Sequence, residues 1–367
     1  MLEYIFYAFV TACTIQALYY LIYSFSFLAK QNNKTGYLPP VSILICAKNE
    51  AENLKEILPN ILNQNYENDF ELVLINDRST DTTAEVMNSF AENNHNIKIV
   101  NIQDCENFWG NKKYALTLGI KAAKHEHLLF TDADCKPLSD TWIHEMAGNF
   151  SNENKIILGY GAYEKIKFSF LNKLIRFETL ITALQYFSYA KMGNPYMGVG
   201  RNLAYTKSEF FKVNGFIKHI KIKSGDDDLF INETANKKNT TITLSQNSFT
   251  ISKPKKSLQE WILQKRRHIS TAKHYKAKHK VLLAGFYCSQ LLFFLFSLFL
   301  LFTNFKIETV GLLILLRYIL FYISISLTCI KLNEKDLILV APFTEISLIF
   351  MQFLIFIKNK ISAPIHW

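Results

Sequence analysis

Four stretches of this chain are free of charge, or nearly so, over lengths that match the hydrocarbon core of a bilayer. Residues 4–29 and residues 281–305 hold no charged side chain. Residues 309–330 are interrupted only by Arg317, and residues 337–357 only by Glu345 and Pro342. A core ~30 Å thick takes about 20 apolar helical residues, so each run can span. Glu3 precedes the first run and Lys30 and Lys34 follow it. Its length and its flanks favour a membrane anchor (residues 1–30) over a cleaved signal peptide. Basic residues stay on the cytoplasmic side, which places everything after Lys30 inside. A fourth crossing would leave Lys358 and Lys360 (in the short tail, residues 358–367) outside, against the same rule. A re-entrant or interfacial fourth segment would keep them inside, and the sequence leaves both open.

Arg317 and Glu345 are each costly alone in hydrocarbon. With antiparallel neighbouring helices, each lies ~12 Å from an opposite face of the core, so their heights differ by roughly 6 Å. The expectation is that they pair, with snorkelling as the alternative.

Charge is as unevenly distributed as hydrophobicity. The net charge is +10, and residues 253–280 carry +9 of it, with Glu260 as their one acid. This is a basic strip expected to form an interfacial helix, not a generally basic protein, and it argues against a histone-like or ribosomal type. Its place beside a membrane run points to anionic membrane lipids as partner. The lack of a base-stacking motif argues against nucleic acid. The six cysteines form no C-x-x-C pair, so neither a disulfide framework nor a zinc site is expected. Nothing in the sequence reports an oligomeric state.

Between residues 39 and 252 the pattern is α/β. Strands are expected at residues 41–46, 71–75, 97–102 and 127–130, with helices at 50–62, after a Thr82–Glu85 capping box, and at 112–124. Further on, 170–191 reads as helix and 240–249 as strand. Such alternation predicts a parallel sheet with ligands at the strand C-termini. Polar turns follow three strands there, at residues 47–50, 76–78 and 131–134.

Asp132-Ala133-Asp134 ends an apolar strand, and carboxylates two apart across a tight turn can converge on Mg²⁺ or Mn²⁺. A plain capped turn is the bland alternative. Asp226-Asp227-Asp228 follows Gly225, and mutual repulsion raises a carboxylate pKa, which suits a general base. A solvated helix start would explain the same triplet. Gln264, Arg267 and His268 share a helix face with Trp261 by the i, i+3, i+4 rule, a set suited to phosphate or sugar.

Six ordered motifs together resemble the family-2 glycosyltransferases with the GT-A (Rossmann-like) fold: ICAKNE (45–50), INDRSTDTT (75–83), NKKYAL (111–116), TDAD (131–134), GDDDL (225–229) and QKRRH (264–268). The resemblance implies a catalytic domain at 39–252, membrane segments at 281–357, and a site in the bacterial inner membrane with the catalytic domain cytoplasmic. Glu50, Asp77, Lys112 and Asp132 would then contact the nucleotide of a nucleotide-sugar donor. Asp132 and Asp134 would hold the metal. Asp227 would be the base, and Gln264, Arg267, His268 and Asp226 would face the diphosphate and acceptor. The acceptor would be lipid-linked or a glycan. Residues 197–205 (MGVGRNLAY) resemble a loop of the acceptor pocket. Two departures stand out: Asn111 replaces a glycine, and His268 replaces the tryptophan of Q-x-x-R-W. The latter weakens a processive-synthase reading. A non-enzymatic polybasic scaffold is the third alternative.

Overall fold

In the computed structural model, residues 1–29, 36–103 and 112–362 are described. Lys30, Lys34, Cys105, Asn111 and residues 363–367 lie outside them. The chain opens with α1 (Leu2–Leu28) and enters an α/β domain through β1 (Val41–Ala47), α2 (Ala51–Leu62), β2 (Phe70–Asn76), α3 (Thr83–Asn93), β3 (Ile97–Asn101), α4 (Lys112–Ala122) and β4 (His127–Phe130). It continues through β5 (Cys135–Pro137), α5 (Trp142–Ala147), β6 (Ile156–Leu158), β7 (Gly161–Tyr163), α6 (Phe170–Lys191), β8 (Leu203–Thr206), α7 (Lys207–Lys212), α8 (Asp228–Thr234), β9 (Thr240–Ile242) and β10 (Thr250–Ser252). Then follow α9 (Leu258–Thr271), α10 (Ala277–Phe302), α11 (Ile307–Lys331) and α12 (Ala341–Ile361).

The main sheet has the order β3-β2-β1-β4-β8-β6-β9. Its first four strands are parallel, and β8 runs antiparallel to both neighbours. β1 is apolar but for Ser42 because both of its faces are covered. Ile43 and Ile45 pack with Leu54, Leu58 and Ile61 of α2, while Leu44 packs with Ala115, Leu116 and Ile120 of α4. A Cβ at Gly119 would sit 2.2 Å from Ile75 Cδ1, so glycine lets α4 lie close on β2. That approach fixes where the lysines at the start of α4 point.

Three sequence expectations need correction. The stretch 240–249 is not one strand: β9 joins the main sheet, a 3₁₀ turn at Gln246–Ser248 intervenes, and β10 joins a second sheet of order β5-β10-β7. The Thr82 side chain does not cap α3. Asp81 accepts from the Thr83 amide at 3.0 Å instead. The basic strip 253–280 is not one helix, because α9 ends at Thr271 and a 3₁₀ turn precedes α10. That break is held from α8: Asn232 Oδ1 accepts from the Lys276 amide at 2.9 Å, and the Tyr275 hydroxyl donates to Asp228 at 2.6 Å.

Four helices, α1, α10, α11 and α12, are long and apolar enough to cross a membrane. α1 packs along both α10 and α11. Between them is a buried polar knot. Arg317 donates to Glu345 through Nη1 at 2.9 Å and also through Nη2, which reaches the Tyr20 hydroxyl at 3.0 Å and Gln16 Oε1 at 3.1 Å. Gln290 Nε2 donates to Glu345 at 2.7 Å. The charges separated by 28 positions in the sequence do pair, and the pair is almost wholly out of solvent.

Candidate active site

The site starts from turns that brace one another. After β1, Asn49 takes the left-handed conformation (φ 57°). Its side-chain oxygen accepts from the Thr80 amide at 2.8 Å, and its own amide donates to Ser79 at 3.1 Å. The Glu50 amide donates to the Thr83 hydroxyl at 2.9 Å. The motifs ICAKNE and INDRSTDTT thus lock the ends of β1 and β2 together. Glu50 opens α2, accepts from Asn53 at 2.6 Å, and has its pKa pushed up by burial. Asp77 is buried and takes the Arg78 guanidinium at 2.6 and 2.9 Å.

At the end of β4, Asp132, Asp134 and Cys135 place one ligand atom each within 4.8 Å of one another. Burial pushes the Cys135 thiol pKa up, so it stays protonated, and its proton points at Asp134. The donor set left for a cation is two carboxylates, which fits a hard divalent ion. Lys112, at the start of α4, bridges two carboxylates, with Nζ 2.6 Å from Asp132 and 3.4 Å from Asp226. Burial works against the Asp132 charge, but Lys112 outweighs it and lowers the pKa.

Gly225 (φ 92°) turns the chain into the acidic triplet, where a Cβ would lie 2.6 Å from Leu229 Cδ1. The three aspartates then diverge. Asp226 faces Lys112. Asp227 caps α8 and accepts from the Gly200 and Asp228 amides, both at 2.7 Å. Burial, with the charges of Asp226 and Asp228, pushes its pKa up to about 7. Asp228 is buried and accepts from the Thr271 and Tyr275 hydroxyls, tying α8 to the end of α9. Lys112, Asp132, Gly200, Asp226 and Asp227 line one cleft. Solvation does not explain the triplet.

On α9, Trp261 is buried, and neither its Nε1 nor the buried Gln264 Oε1 has a hydrogen-bond partner among the described residues. Arg267 is partly buried on the same helix. His268 is exposed on the same helix.

Two residues escaped the sequence reading. Lys113 is fully buried and donates to the carbonyls of His219, Ile222 and Ser224 at 2.8, 2.9 and 2.8 Å, pinning the loop that leads into Gly225. Arg201 donates to Ala162 O and Ser252 Oγ, both at 3.1 Å, and stacks 4.3 Å over the Tyr163 ring. Its charge bears on Asp134 and Asp132. Both lie inside the quoted stretches NKKYAL and MGVGRNLAY but were not singled out there, since a lysine in an amphipathic helix and a lone arginine in a loop read as solvated.

Residues 42–211 match the model for glycosyl transferase family 2. Those residues, less than half of the chain, run from β1 into α7 of a mixed α/β GT-A fold. Its relatives include a poly-beta-1,6-N-acetyl-D-glucosamine synthase of Staphylococcus aureus (strain COL), 32% identical over 132 residues, which is 36% of this chain and 30% of that synthase. The counterpart from Staphylococcus epidermidis is 35% identical over 94 residues, 26% of this chain and 21% of that protein. The alignments thus span less than a third of those relatives. In overall shape the chain is similar to the mannosyltransferase PcManGT from Pyrobaculum calidifontis, solved with GDP-Man and Mn²⁺. The TM-score is 0.60 at 16% identity, covering 94% of this chain and 99% of that one.

Proposed function

We propose that this protein is a membrane-bound, inverting glycosyltransferase that moves a sugar from a nucleoside-diphosphate sugar to a lipid-linked or glycan acceptor. The observation that carries this reading is the cleft in which Asp227, with its raised pKa, stands beside Asp226, Lys112 and Asp132. A base poised near neutrality is thereby set next to a charge pair suited to a diphosphate. Glu50 and Asp77, on the linked turns after β1 and β2, bind the base and ribose. Asp132 and Asp134 would hold Mg²⁺ or Mn²⁺, which would neutralise charge on the diphosphate.

Asp227 takes the proton of the acceptor hydroxyl as that oxygen attacks the anomeric carbon. The new C–O bond forms while the bond to the diphosphate oxygen breaks, and the leaving group keeps the electron pair. One displacement inverts the anomeric centre. Arg267 and Lys112 offer positive charge to the departing diphosphate, stabilisation that counts most where water is excluded. Gln264, with an unpaired buried oxygen, accepts from an acceptor hydroxyl. The exposed Lys273, Lys276, Lys278 and Lys280, in the turn after α9 and the start of α10, face anionic headgroups on the cytoplasmic side of the bacterial inner membrane.

Purified full-length chain in nanodiscs, offered UDP-, GDP- and dTDP-sugars, should release a nucleoside diphosphate from at least one of them. EDTA should abolish release and Mn²⁺ or Mg²⁺ restore it. Release from none of the donors refutes the reading, and full release in EDTA removes the metal from it. Similarity to poly-N-acetylglucosamine synthases supports chain elongation as a second reading, which a product ladder on a gel would distinguish from single transfer.

A further inference from the structure

The fourth apolar helix, α12, is shorter and less apolar than its companions, and it differs from them in what it touches. α1 packs along α10 and α11, whereas α12 packs chiefly on α6 and α9 of the α/β domain. Both of its ends are tied to that domain. Just before it, Glu334 and Asp336 hold Arg176 of α6, with Asp336 Oδ2 2.8 Å from Nη1. At its far end, Arg266 of α9 donates to Asn359 Oδ1 at 2.8 Å and to Ser362 O at 2.7 Å, and Asn359 donates back to Arg266 O at 3.2 Å. Twenty-one residues of helix measure ~31 Å, about one hydrocarbon core. A crossing would carry the two ends to opposite faces, yet both meet elements of a single domain.

The faces of α12 agree with this. Thr344, Glu345, Leu348 and Ile355 are buried, while Phe343, Phe350, Phe353 and Phe356 are exposed. Glu345 reaches Arg317, so the first turns sit deeper than the Ser362 end. Beside the start of the helix, Leu339 is 86% exposed and Phe168 is wholly exposed. The Phe168 loop is held there by Lys165, whose Nζ lies 2.6 Å from Asn333 O and 3.3 Å from Asp336. Lys358 and Lys360 close the far end. Apolar rings on one face with lysines at the rim suit the boundary between acyl chains and anionic headgroups.

We propose that α12 does not cross the bilayer but lies obliquely within one leaflet, its phenylalanine face in the lipid, strapping α9 to the membrane surface. The occupant of that face is the lipid boundary of the leaflet on the side of the α/β domain. The strap fixes α9, and with it Gln264 and Arg267, at a set height above the lipid. The proposal concerns topology and is independent of the reaction. It also keeps Lys358 and Lys360 on the domain's side.

The test uses the full chain with Cys46, Cys105 and Cys288 replaced by serine. Lys360→Cys, Glu67→Cys (on the α/β domain) and Asn304→Cys (in the α10–α11 loop) are each labelled with a membrane-impermeant maleimide, in sealed vesicles of both orientations. Lys360→Cys should label from the same side as Glu67→Cys and opposite to Asn304→Cys. Labelling alongside Asn304→Cys means α12 crosses and overturns the proposal. Phe350→Trp gives an independent readout in nanodiscs. Its added fluorescence should be quenched more by lipids brominated near the headgroup than by lipids brominated near the chain end, and the opposite order overturns the proposal.

Discussion

Asp227→Asn should lower turnover by about 10²–10⁴-fold, the usual contribution of a general base, and leave donor affinity within a few-fold. The structure explains why the loss should be chemical. Both carboxylate oxygens accept a backbone N–H, from Gly200 and Asp228. An asparagine would turn its amide nitrogen towards one of those donors and forfeit a hydrogen bond worth ~1 kcal/mol, a small loss for the fold. The groups assigned to the nucleotide are untouched. The pH dependence gives the second signature. The pKa is raised to about 7, and the deprotonated form is the active one. Wild-type kcat should therefore rise with pH through about 7 and then level off, and the residual activity of the variant should lack that limb. Wild-type-like turnover in Asp227→Asn would remove Asp227 as the base.

Arg317→Leu should destabilise the membrane bundle by about 3–5 kcal/mol, the usual cost of stranding one partner of a buried ion pair. The cost arises because Glu345 would keep only Tyr20 and Gln290, and Arg317 also serves Gln16 and Tyr20. Glu345→Leu should cost a comparable amount. The double variant Arg317→Leu/Glu345→Leu should recover most of the loss, since no charge is left unpaired. The measurement is the unfolding midpoint of each variant in nanodiscs, with the charge-reversed double variant (Arg317→Glu with Glu345→Arg) as a further comparison. Additive losses in the leucine double variant, or a charge reversal no better folded than either single change, would show that the two charges act independently.

Much of this arrangement is legible in the sequence because local pattern and tertiary role coincide. β1 and β2 are apolar runs buried on both faces, and three polar turns follow the adjacent parallel strands β1, β2 and β4. The pairing of Arg317 with Glu345 followed from the cost of charge in hydrocarbon, which leaves few other solutions. What was not legible depends on long-range contacts. The break between α9 and α10 has neither proline nor glycine; it exists because Asn232 and Asp228 hold Lys276 and Tyr275. The split of residues 240–249 follows from a second sheet whose partners lie in β5 and β7. Lys113 looks like any surface lysine until three carbonyls, more than 100 residues away in the chain, converge on it. The triplet at 226–228 announced its charge but not its division into a lysine partner, a poised base and a tether.

The stereochemical course of transfer tests the central claim most directly. With the donor that the chain consumes fastest, a single turnover should give a product whose anomeric configuration, read by proton NMR coupling before any equilibration, is opposite to that of the donor. That outcome follows from one in-line displacement with Asp227 as the only base. Retention of configuration would rule out a single in-line displacement and would contradict the account.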